Sequence, residues 1–256
     1  EKFNLKSFLY DIEKRKETQI ENNHIKHVNE FYPGYSKGDR VRSFFKVQDG
    51  CNYFCSFCTI PLARGKSRSA NVKETIVKAR EIANSAVKEV VLTGVNIGDF
   101  GYGTKEKLID LLVELDKLEQ INRFRISSIE PDLLSNEIIE FVCKSKRFVP
   151  HFHIPLQSGS DKLLKSMRRR YDTELYKSRI EKIKTLMPKA CIGVDVIVGY
   201  PGESVEEFNK TVHFLKSLPI SYLHVFTYSE RANTTAPRMG EIVPMEERRK
   251  RSKQLR

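Results

Sequence analysis

The chain has 256 residues, of which 39% are hydrophobic, and its formal net charge at pH 7 is +12. This length suits one α/β barrel domain rather than several domains. No apolar run approaches the roughly eighteen residues of a membrane-spanning helix, and the few cysteines suit a reducing compartment, so we expect a soluble, cytoplasmic protein with no membrane partner. The positive charge indicates a polyanionic partner, although a solvated basic surface explains it equally well.

Residues 1–36 come first and lack a sustained apolar period. Their charged composition predicts a linker, so the catalytic core is expected to occupy residues 37–256. At the far end, residues 245–256 are polar and basic and are predicted to form a helix. That helix would either present a solvated face or lead into a further module.

Between these ends, short β-rich runs alternate with helical patterns, which indicates parallel strands joined by crossover helices. Asn71 and Ser204 each precede a glutamate by three residues, a spacing typical of capping boxes at helix starts. Apolar spacing predicts helices at residues 108–118 and 173–186. Six runs are predicted as strands, at residues 43–47, 89–92, 124–127, 149–154, 192–198 and 222–227. The expected fold class is α/β, an open partial TIM barrel of six strands and crossover helices, (βα)6.

Three cysteines follow the first predicted strand, spaced as Cys51-x3-Cys55-x2-Cys58. Iron–sulfur clusters are held by cysteine thiolates and normally use four, so three would leave one iron of a cubane cluster open. Structural zinc requires four closed ligands, and no fourth cysteine or histidine lies within the run. An odd set of close cysteines cannot pair off as disulfides. The cluster is therefore favoured over a closed metal site, a disulfide or three buried cysteines.

Polar residues also lie where the other predicted strands end, and these ends carry the working residues of α/β barrels. Gly94 would let backbone approach a ligand closely, although it also suits an ordinary strand-to-helix turn. Buried polar side chains are costly unless they form hydrogen bonds, which favours a ligand near Gln157 and Ser158. The candidate site residues after or within the second to fifth strands are Gly94, Asn96, Glu130, His153, Gln157, Ser158, Asp195, Val196, Ile197 and Val198.

Arg168, Arg169 and Arg170 stand beside an aromatic residue, a combination suited to phosphate pairing and base stacking. A solvated helix end explains such a run equally well. Cys143 and Cys191 lie far from the cysteine triplet and are predicted to be small buried hydrophobic residues.

The triplet, with the aromatic Phe57 directly before its last cysteine, resembles the signature of the radical S-adenosylmethionine (SAM) enzymes. Longer stretches resemble one branch of that superfamily, the methylthiotransferases, which replace an unreactive C–H bond by C–S–CH3. These stretches are GCNYFCSFCTIPLARG, VVLTGVNIGDFG, RISSIEP, HIPLQSGSDKLLKSMRRRY, GVDVIVGYPGE and HVFTYSERANTTAPRM. Within the branch, VLTGVNIGDFG and SSIEP look most like the enzymes that act on N6-threonylcarbamoyladenosine beside the tRNA anticodon.

The resemblance implies one 4Fe–4S cluster on Cys51, Cys55 and Cys58, whose open iron binds SAM and whose electron cleaves it to methionine and a 5′-deoxyadenosyl radical. It places Gly94 and Asn96 near the SAM amino group and Glu130 near the ribose hydroxyls. It further implies contacts to SAM or substrate from Gln157, Ser158, Asp195, Val196, Ile197 and Val198, a supporting role for His153, and RNA phosphate near Arg168, Arg169 and Arg170.

For the intact protein, the resemblance implies a second 4Fe–4S cluster in a domain before residue 37 and an RNA-binding β-barrel after the core. This chain alone is therefore expected not to complete methylthiolation. The implied partners are a tRNA anticodon stem-loop, an electron donor such as flavodoxin or ferredoxin, and a sulfur donor. The alternatives are action on isopentenyladenosine or on a ribosomal protein aspartate, another radical SAM reaction, or a nucleic-acid-binding module with a structural metal or iron–sulfur site.

Overall fold

A computed structural model describes residues 25–36, 41–85 and 87–256 of the chain. The expected linker of residues 1–36 lies largely outside these ranges. Its described part is not a free linker, because Gly34–Tyr35 pairs antiparallel with the first long strand. The strands are β1 (Gly34–Tyr35), β2 (Arg42–Lys46), β3 (Glu89–Thr93), β4 (Arg123–Ile126), β5 (His151–His153), β6 (Cys191–Val198) and β7 (Tyr222–Thr227).

The six strands from β2 to β7 form one curved wall. Hydrogen bonding orders them as β1–β2–β3–β4 and as β5–β6–β7, and every pair from β2 onward is parallel. Isolated parallel bridges link the β4 and β5 segments of the chain, one between Phe124 of β4 and Phe148 and one between Ser128 and His153 of β5. The wall is an open partial barrel of the predicted class, with the carboxyl ends of its strands at one rim.

Helices cover the outer face of this wall. Asn71 and Ser204 cap two of them by accepting the backbone N–H three residues on, as their spacing predicts. The α-helices are α1 (Ile60–Arg64), α2 (Val72–Ala83), α3 (Leu108–Asp116), α4 (Asn136–Lys144), α5 (Asp161–Ser166), α6 (Thr173–Leu186), α7 (Val205–Ser217) and α8 (Met245–Leu255), with short 3-10 helices at Ile25–His27, Ile97–Asp99 and Ala236–Arg238. Among the described residues, no helix is long and apolar enough to cross a membrane.

Strand β6 shows how the two faces of the wall differ. Side chains alternate along a strand, so Val196 and Val198 share one face and Asp195 and Ile197 share the other. Val196 and Val198 are fully buried in the core under the helices. Asp195 and Ile197 lie on the concave inner face, which we call the lumen. The expectation that Val196 and Val198 surround a cofactor is therefore wrong, because the alternation of side chains along β6 places both on the face that packs against the helices.

Helix α8 does more than present a solvated face, which was one of the two alternatives for residues 245–256. Arg251 is buried and donates to the Glu203 carboxylate at 2.8 Å, and Arg248 is buried and donates to the backbone oxygen of Tyr228 at 3.0 Å. The helix therefore packs onto the wall beside β7 through its arginines, because their carbons fill the interface while their guanidinium groups find acceptors. Cys143 was predicted to be buried and is exposed instead, on α4.

Replacing Arg251 by methionine will destabilise the fold. The side chains of Arg251 and Glu203 are 5% and 1% exposed, so the variant leaves a buried carboxylate without its cation. Removal of one partner from a buried pair costs about 3–5 kcal/mol. Urea unfolding measures the change in the free energy of unfolding. The matched control is Arg249→Met on the exposed face of α8, which should change it by about 0.5 kcal/mol or less; equal effects of the two variants would contradict the prediction.

Candidate functional site

The cysteine triplet lies in a loop that follows β2 at the carboxyl rim of the wall. Backbone bonds close this loop on itself: the N–H of Cys51 donates to Gly65 at 3.0 Å, and the N–H of Cys58 donates to Cys55 at 3.0 Å. Gly50 has a positive φ of 74°, and a Cβ there would lie 1.9 Å from the Lys66 carbonyl oxygen. The loop therefore holds its three thiols in a fixed, compact arrangement.

All three thiols are free, and among the described residues they do not form a group with every sulfur within 4.8 Å of the others. Among the described residues, only His153, Asp195 and His224 bring three metal-ligating atoms within 4.8 Å of one another. A zinc ion with Zn–S bonds of about 2.3 Å would hold sulfurs closer than that. In a cubane cluster each cysteine binds a different iron, which suits more widely spaced sulfurs.

Burial keeps the unliganded thiols of Cys51 and Cys55 protonated. Burial raises the pKa of Cys51 to about 11 and also raises the pKa of Cys55, against the opposing charge of Arg169. Metal binding to these sulfurs must therefore displace protons, since the thiolate is the ligand.

Arg169 links the triplet to the end of β4. It donates to the Cys55 sulfur at 3.1 Å through one terminal nitrogen and pairs with the Glu130 carboxylate through the other. Its side chain is only 3% exposed and that of Glu130 is 19% exposed. The hypothesis that Arg169 meets RNA phosphate is therefore wrong, and Glu130 is committed to Arg169 rather than free at the rim.

The other two arginines of the run point elsewhere. Arg170 lies over the Tyr53 ring, 4.0 Å from its centroid, and donates to the Asn52 backbone oxygen at 2.9 Å. Arg168 is exposed and has a positive φ of 59°. Of the three consecutive arginines after α5, Arg169 and Arg170 therefore contact the cysteine loop and Arg168 lies at the surface.

Gln48 connects the base of the cysteine loop with the end of β3. Its amide nitrogen donates to Gly50 and to Ser67, both at 2.8 Å, and its oxygen accepts from the Asn96 N–H at 2.8 Å. A Cβ on Gly94 would lie 2.8 Å from that oxygen. The glycine is therefore explained by the close approach of Gln48 rather than by a ligand. Nothing in the sequence marked Gln48, because a single glutamine after a strand has no pattern.

Asn96 has an unsatisfied atom at this rim. Its side-chain nitrogen donates to Asp99 at 2.9 Å, whereas its side-chain oxygen is buried without a partner among the described residues. A buried polar atom without a hydrogen bond is costly, so this oxygen is a candidate acceptor for a bound ligand.

Gln157 and Ser158 are neighbours in sequence but have different surroundings. Ser158 is buried, 3.2 Å from the Thr211 hydroxyl on α7, and holds the loop to that helix. Ser158 therefore does not face a ligand as expected. The Gln157 backbone pairs with β6, donating to Asp195 at 2.8 Å and accepting from Ile197 at 2.9 Å.

A cavity of about 240 Å³ opens beside the cysteine loop. Phe57, Ile197 and Gln157 line it, so residues of the cysteine loop, β6 and the β5–α5 loop meet here. The remaining lining residues are Asp195, Phe226, Thr227, Tyr228, Ser229 and Arg231. An apolar wall with a few polar groups is the usual character of a cofactor site.

A hydrogen-bonded group of side chains continues from this cavity down the lumen. Asp195 Oδ1 lies 2.9 Å from His153 Nε2 and 3.0 Å from His224 Nδ1, and His153 Nδ1 lies 2.6 Å from the Ser128 hydroxyl. Because a carboxylate only accepts, both imidazoles donate to Asp195. His153 therefore supports Asp195, while His224 belongs to the site without having been anticipated from the sequence.

Glu130 should give the cluster-free protein a distinctive pH dependence. Burial, with added repulsion from Asp132, raises its pKa to about 7 from the usual 4.5 despite Arg169. A raised acid pKa contributes stability in full below pH 4.5 and loses it as the pH rises through 7. The free energy of unfolding relative to Glu130→Gln should therefore fall over this range, by at most about 1.4 kcal/mol per pH unit. Urea unfolding across pH tests this, and a difference that stays constant or rises would contradict it.

Much of the chain is similar in sequence to known proteins. The family model described as the Radical SAM superfamily matches residues 45–215. Threonylcarbamoyladenosine tRNA methylthiotransferases from Bacillus subtilis and Aquifex aeolicus are 46% and 43% identical to the chain, each over 80% of it and over 46% and 50% of their own lengths. A tRNA-2-methylthio-N(6)-dimethylallyladenosine synthase from Desulfitobacterium hafniense is 34% identical over 84% of the chain and 49% of its own length. The chain thus spans about half the length of these relatives.

Solved structures share the fold. A radical S-adenosylmethionine methyltransferase from Kitasatospora setae, solved with a SAM analogue, aligns with a TM-score of 0.62 and 15% identity over 72% of this chain and 35% of its own. Coproporphyrinogen III oxidase from Escherichia coli aligns with a TM-score of 0.59 and 16% identity over 82% of this chain and 49% of its own. At 15% and 16% sequence identity, this structural similarity supports only a shared fold.

Proposed function

Because this chain belongs to the radical SAM superfamily, we propose that it is the SAM-binding core of a tRNA methylthiotransferase acting on N6-threonylcarbamoyladenosine. The observation that carries the proposal is the loop of three free, closely held cysteines at the rim of an open partial barrel. Cys51, Cys55 and Cys58 would hold a 4Fe–4S cluster. When bound, this cluster supplies the electron that cleaves SAM and so generates the radical that removes hydrogen from the substrate carbon.

The residues around the rim would orient SAM. The unpartnered Asn96 oxygen would accept a hydrogen bond from the SAM amino group. Ile197 and Phe57 both line the cavity and would offer apolar surface for the adenine, and Gln157 would offer an amide to its polar edge. Three predicted site residues would support the site without touching the ligand. Gly94 makes room for Gln48, Glu130 pairs with Arg169, and Ser158 lies within hydrogen-bond distance of Thr211.

Arg169 has two tasks in this account. Its hydrogen bond to the Cys55 sulfur would raise the reduction potential of the cluster, as donors to cluster sulfurs do. Its pairing with Glu130 fixes the guanidinium and compensates its charge in a poorly solvated place.

The substrate part of the proposal rests on the relatives and on charge. The relatives with 46% and 43% identity are named for threonylcarbamoyladenosine in tRNA, and a net charge of +12 suits RNA. Arg168 is exposed near the cysteine loop and can meet backbone phosphate. Such a reaction would take place in the cytoplasm and needs an electron donor, such as flavodoxin or ferredoxin, and a sulfur donor.

A second 4Fe–4S cluster would lie outside this chain. The relatives are about twice as long as the part that the chain matches. Beyond the triplet, the chain has only Cys143 and Cys191, which cannot supply three further cysteine ligands. The core alone should therefore bind one cluster and SAM without completing carbon–sulfur bond formation.

Nucleoside analysis of tRNA tests the activity. The intact protein should be expressed in cells whose tRNA carries N6-threonylcarbamoyladenosine without a 2-methylthio group, and digested tRNA analysed by mass spectrometry. The methylthio derivative of that nucleoside should appear, and it should be absent with Cys51→Ala. Methylthiolation of isopentenyladenosine instead, or no modified nucleoside, would contradict the proposal.

A further inference from the structure

Strand β7 presents a row of side chains along the open side of the barrel. Tyr222, His224 and Phe226 alternate with residues that face the helices, so they share the lumen face. His224 and Phe226 are more than half exposed although they face inward. Among the described residues, no strand pairs with the outer edge of β7. This side of the lumen is therefore open to a molecule that enters beside the cavity.

The group formed by His153, Asp195 and His224 leaves polar atoms unused at this opening. Both imidazoles donate to the same oxygen, Asp195 Oδ1. The other ring nitrogen of His153, Nδ1, forms a hydrogen bond with the Ser128 hydroxyl. In the part of the chain that the structure describes, Asp195 Oδ2 and His224 Nε2 have no hydrogen-bond partner. Asp195 also lines the cavity proposed for SAM, so these atoms lie where a substrate would meet the cofactor.

The Tyr222 ring packs against both histidines of this group. The Tyr222 ring stacks with His153 at 6.2 Å and approaches His224 at 5.2 Å between centroids. Gly193 makes room for it, because a Cβ there would lie 2.1 Å from the tyrosine ring. Tyr222 therefore packs closely against Gly193 and both imidazoles, which limits the movement of His153 and His224.

We propose that Asp195 and His224 form the subsite that recognises the N6-threonylcarbamoyl group and rejects an apolar N6 substituent. The inference rests on the proposed function and deepens it. The threonylcarbamoyl group carries ureido N–H groups, a hydroxyl and a carboxylate. Asp195 Oδ2 accepts from a ureido N–H, and His224 Nε2, which is an acceptor when Nδ1 carries the proton, accepts from the hydroxyl. A dimethylallyl group offers no partner and would strip water from both side chains.

Such a site discriminates through unpaired polar groups rather than through shape. A site built to hydrogen-bond a substrate rejects an analogue without the matching groups strongly, because its own polar atoms are then left desolvated. An apolar pocket distinguishes substituents of similar size far less well. The unpaired polar atoms of Asp195 and His224 therefore favour the threonylcarbamoyl nucleoside over the isopentenyl one.

Binding of three RNA hairpins tests this subsite. Anticodon stem-loops carrying N6-threonylcarbamoyladenosine, isopentenyladenosine or adenosine at the same position are titrated with the cluster-loaded protein, and fluorescence anisotropy gives each affinity. The preference for threonylcarbamoyladenosine over isopentenyladenosine should fall about tenfold or more in His224→Leu. His224→Gln, whose amide can still form a hydrogen bond, should recover part of it. His213→Leu, an exposed histidine on α7, is the matched control and should keep the full preference.

The outcomes separate the inference from the proposed function. A wild-type preference that survives in His224→Leu would overturn the subsite while leaving the proposed substrate intact. A wild type that does not prefer threonylcarbamoyladenosine would overturn both. In His224→Leu, affinity for the threonylcarbamoyladenosine hairpin should fall more than affinity for SAM or for the adenosine hairpin, whereas His213→Leu should leave all three affinities unchanged. A loss of SAM affinity would assign His224 to the cofactor instead, and an equal loss for all three hairpins would assign it to the RNA backbone.

Discussion

Alanine at Cys51, Cys55 or Cys58 will abolish cluster binding. Each variant leaves two thiolates, too few to hold a cluster that already uses one ligand fewer than the usual four. After anaerobic reconstitution, iron should fall from about four atoms per chain to near zero. Formation of 5′-deoxyadenosine from SAM should fall to background. Iron analysis and chromatography of the reaction mixture give the two measurements.

Cys143, which lies outside the triplet, provides a matched control in the same chain. Cys143 is exposed on α4, with its sulfur 3.6 Å from the Leu186 backbone oxygen. Cys143→Ala should keep the full iron content and SAM cleavage. Retention of iron in any triplet variant, or its loss in Cys143→Ala, would show that the cluster is not where the loop places it. Circular dichroism verifies that each variant is folded.

Replacement of Arg169 by methionine will weaken both the fold and the cluster site. Methionine keeps much of the length of the side chain but leaves the Glu130 carboxylate without its cation in a poorly solvated place. In the pH range where Glu130 is ionised, loss of one partner of a buried pair costs about 3–5 kcal/mol, measurable by urea unfolding of the cluster-free protein. The pKa of Glu130 should rise further, because Arg169 opposes the effect of burial. The reduction potential of the cluster should become more negative, because the donor to Cys55 is gone.

Two further variants show whether loss of the Arg169–Glu130 pair causes the changes in unfolding free energy and reduction potential. Arg168→Met changes the exposed neighbour and should alter neither the free energy of unfolding nor the potential measurably. The double variant Glu130→Gln/Arg169→Met removes the buried charge with its partner and should be more stable than Arg169→Met alone. A single variant as stable as the wild type, with an unchanged potential, would contradict the assigned role.

Much of the fold followed from local sequence patterns. The predicted strands 192–198 and 222–227 differ from β6 and β7 by at most one residue, because each is an apolar run closed by turn residues. The helix predicted at 173–186 has the same bounds in α6, whose start is fixed by the Asp172 cap. The cysteine triplet was visible because its spacing is itself the signal.

The partners of charged residues could not be inferred in the same way. Arg169 and Cys55 are 114 positions apart, and Arg251 and Glu203 are 48 positions apart. Both arginines belong to basic runs that look solvated when only neighbours are considered. Only the tertiary fold brings an acceptor to each one. His224 was missed for a related reason, since its role depends on Asp195 of the adjacent strand.

Electron paramagnetic resonance of the reduced protein tests the central claim most directly. The chain is reconstituted anaerobically with iron and sulfide, reduced with dithionite, and measured with and without SAM. If Cys51, Cys55 and Cys58 hold a 4Fe–4S cluster with an open iron, the spectrum should show a cubane signal that changes when SAM binds. A cluster signal indifferent to SAM, or no cluster at all, would contradict the account and favour a nucleic-acid-binding module with a structural metal.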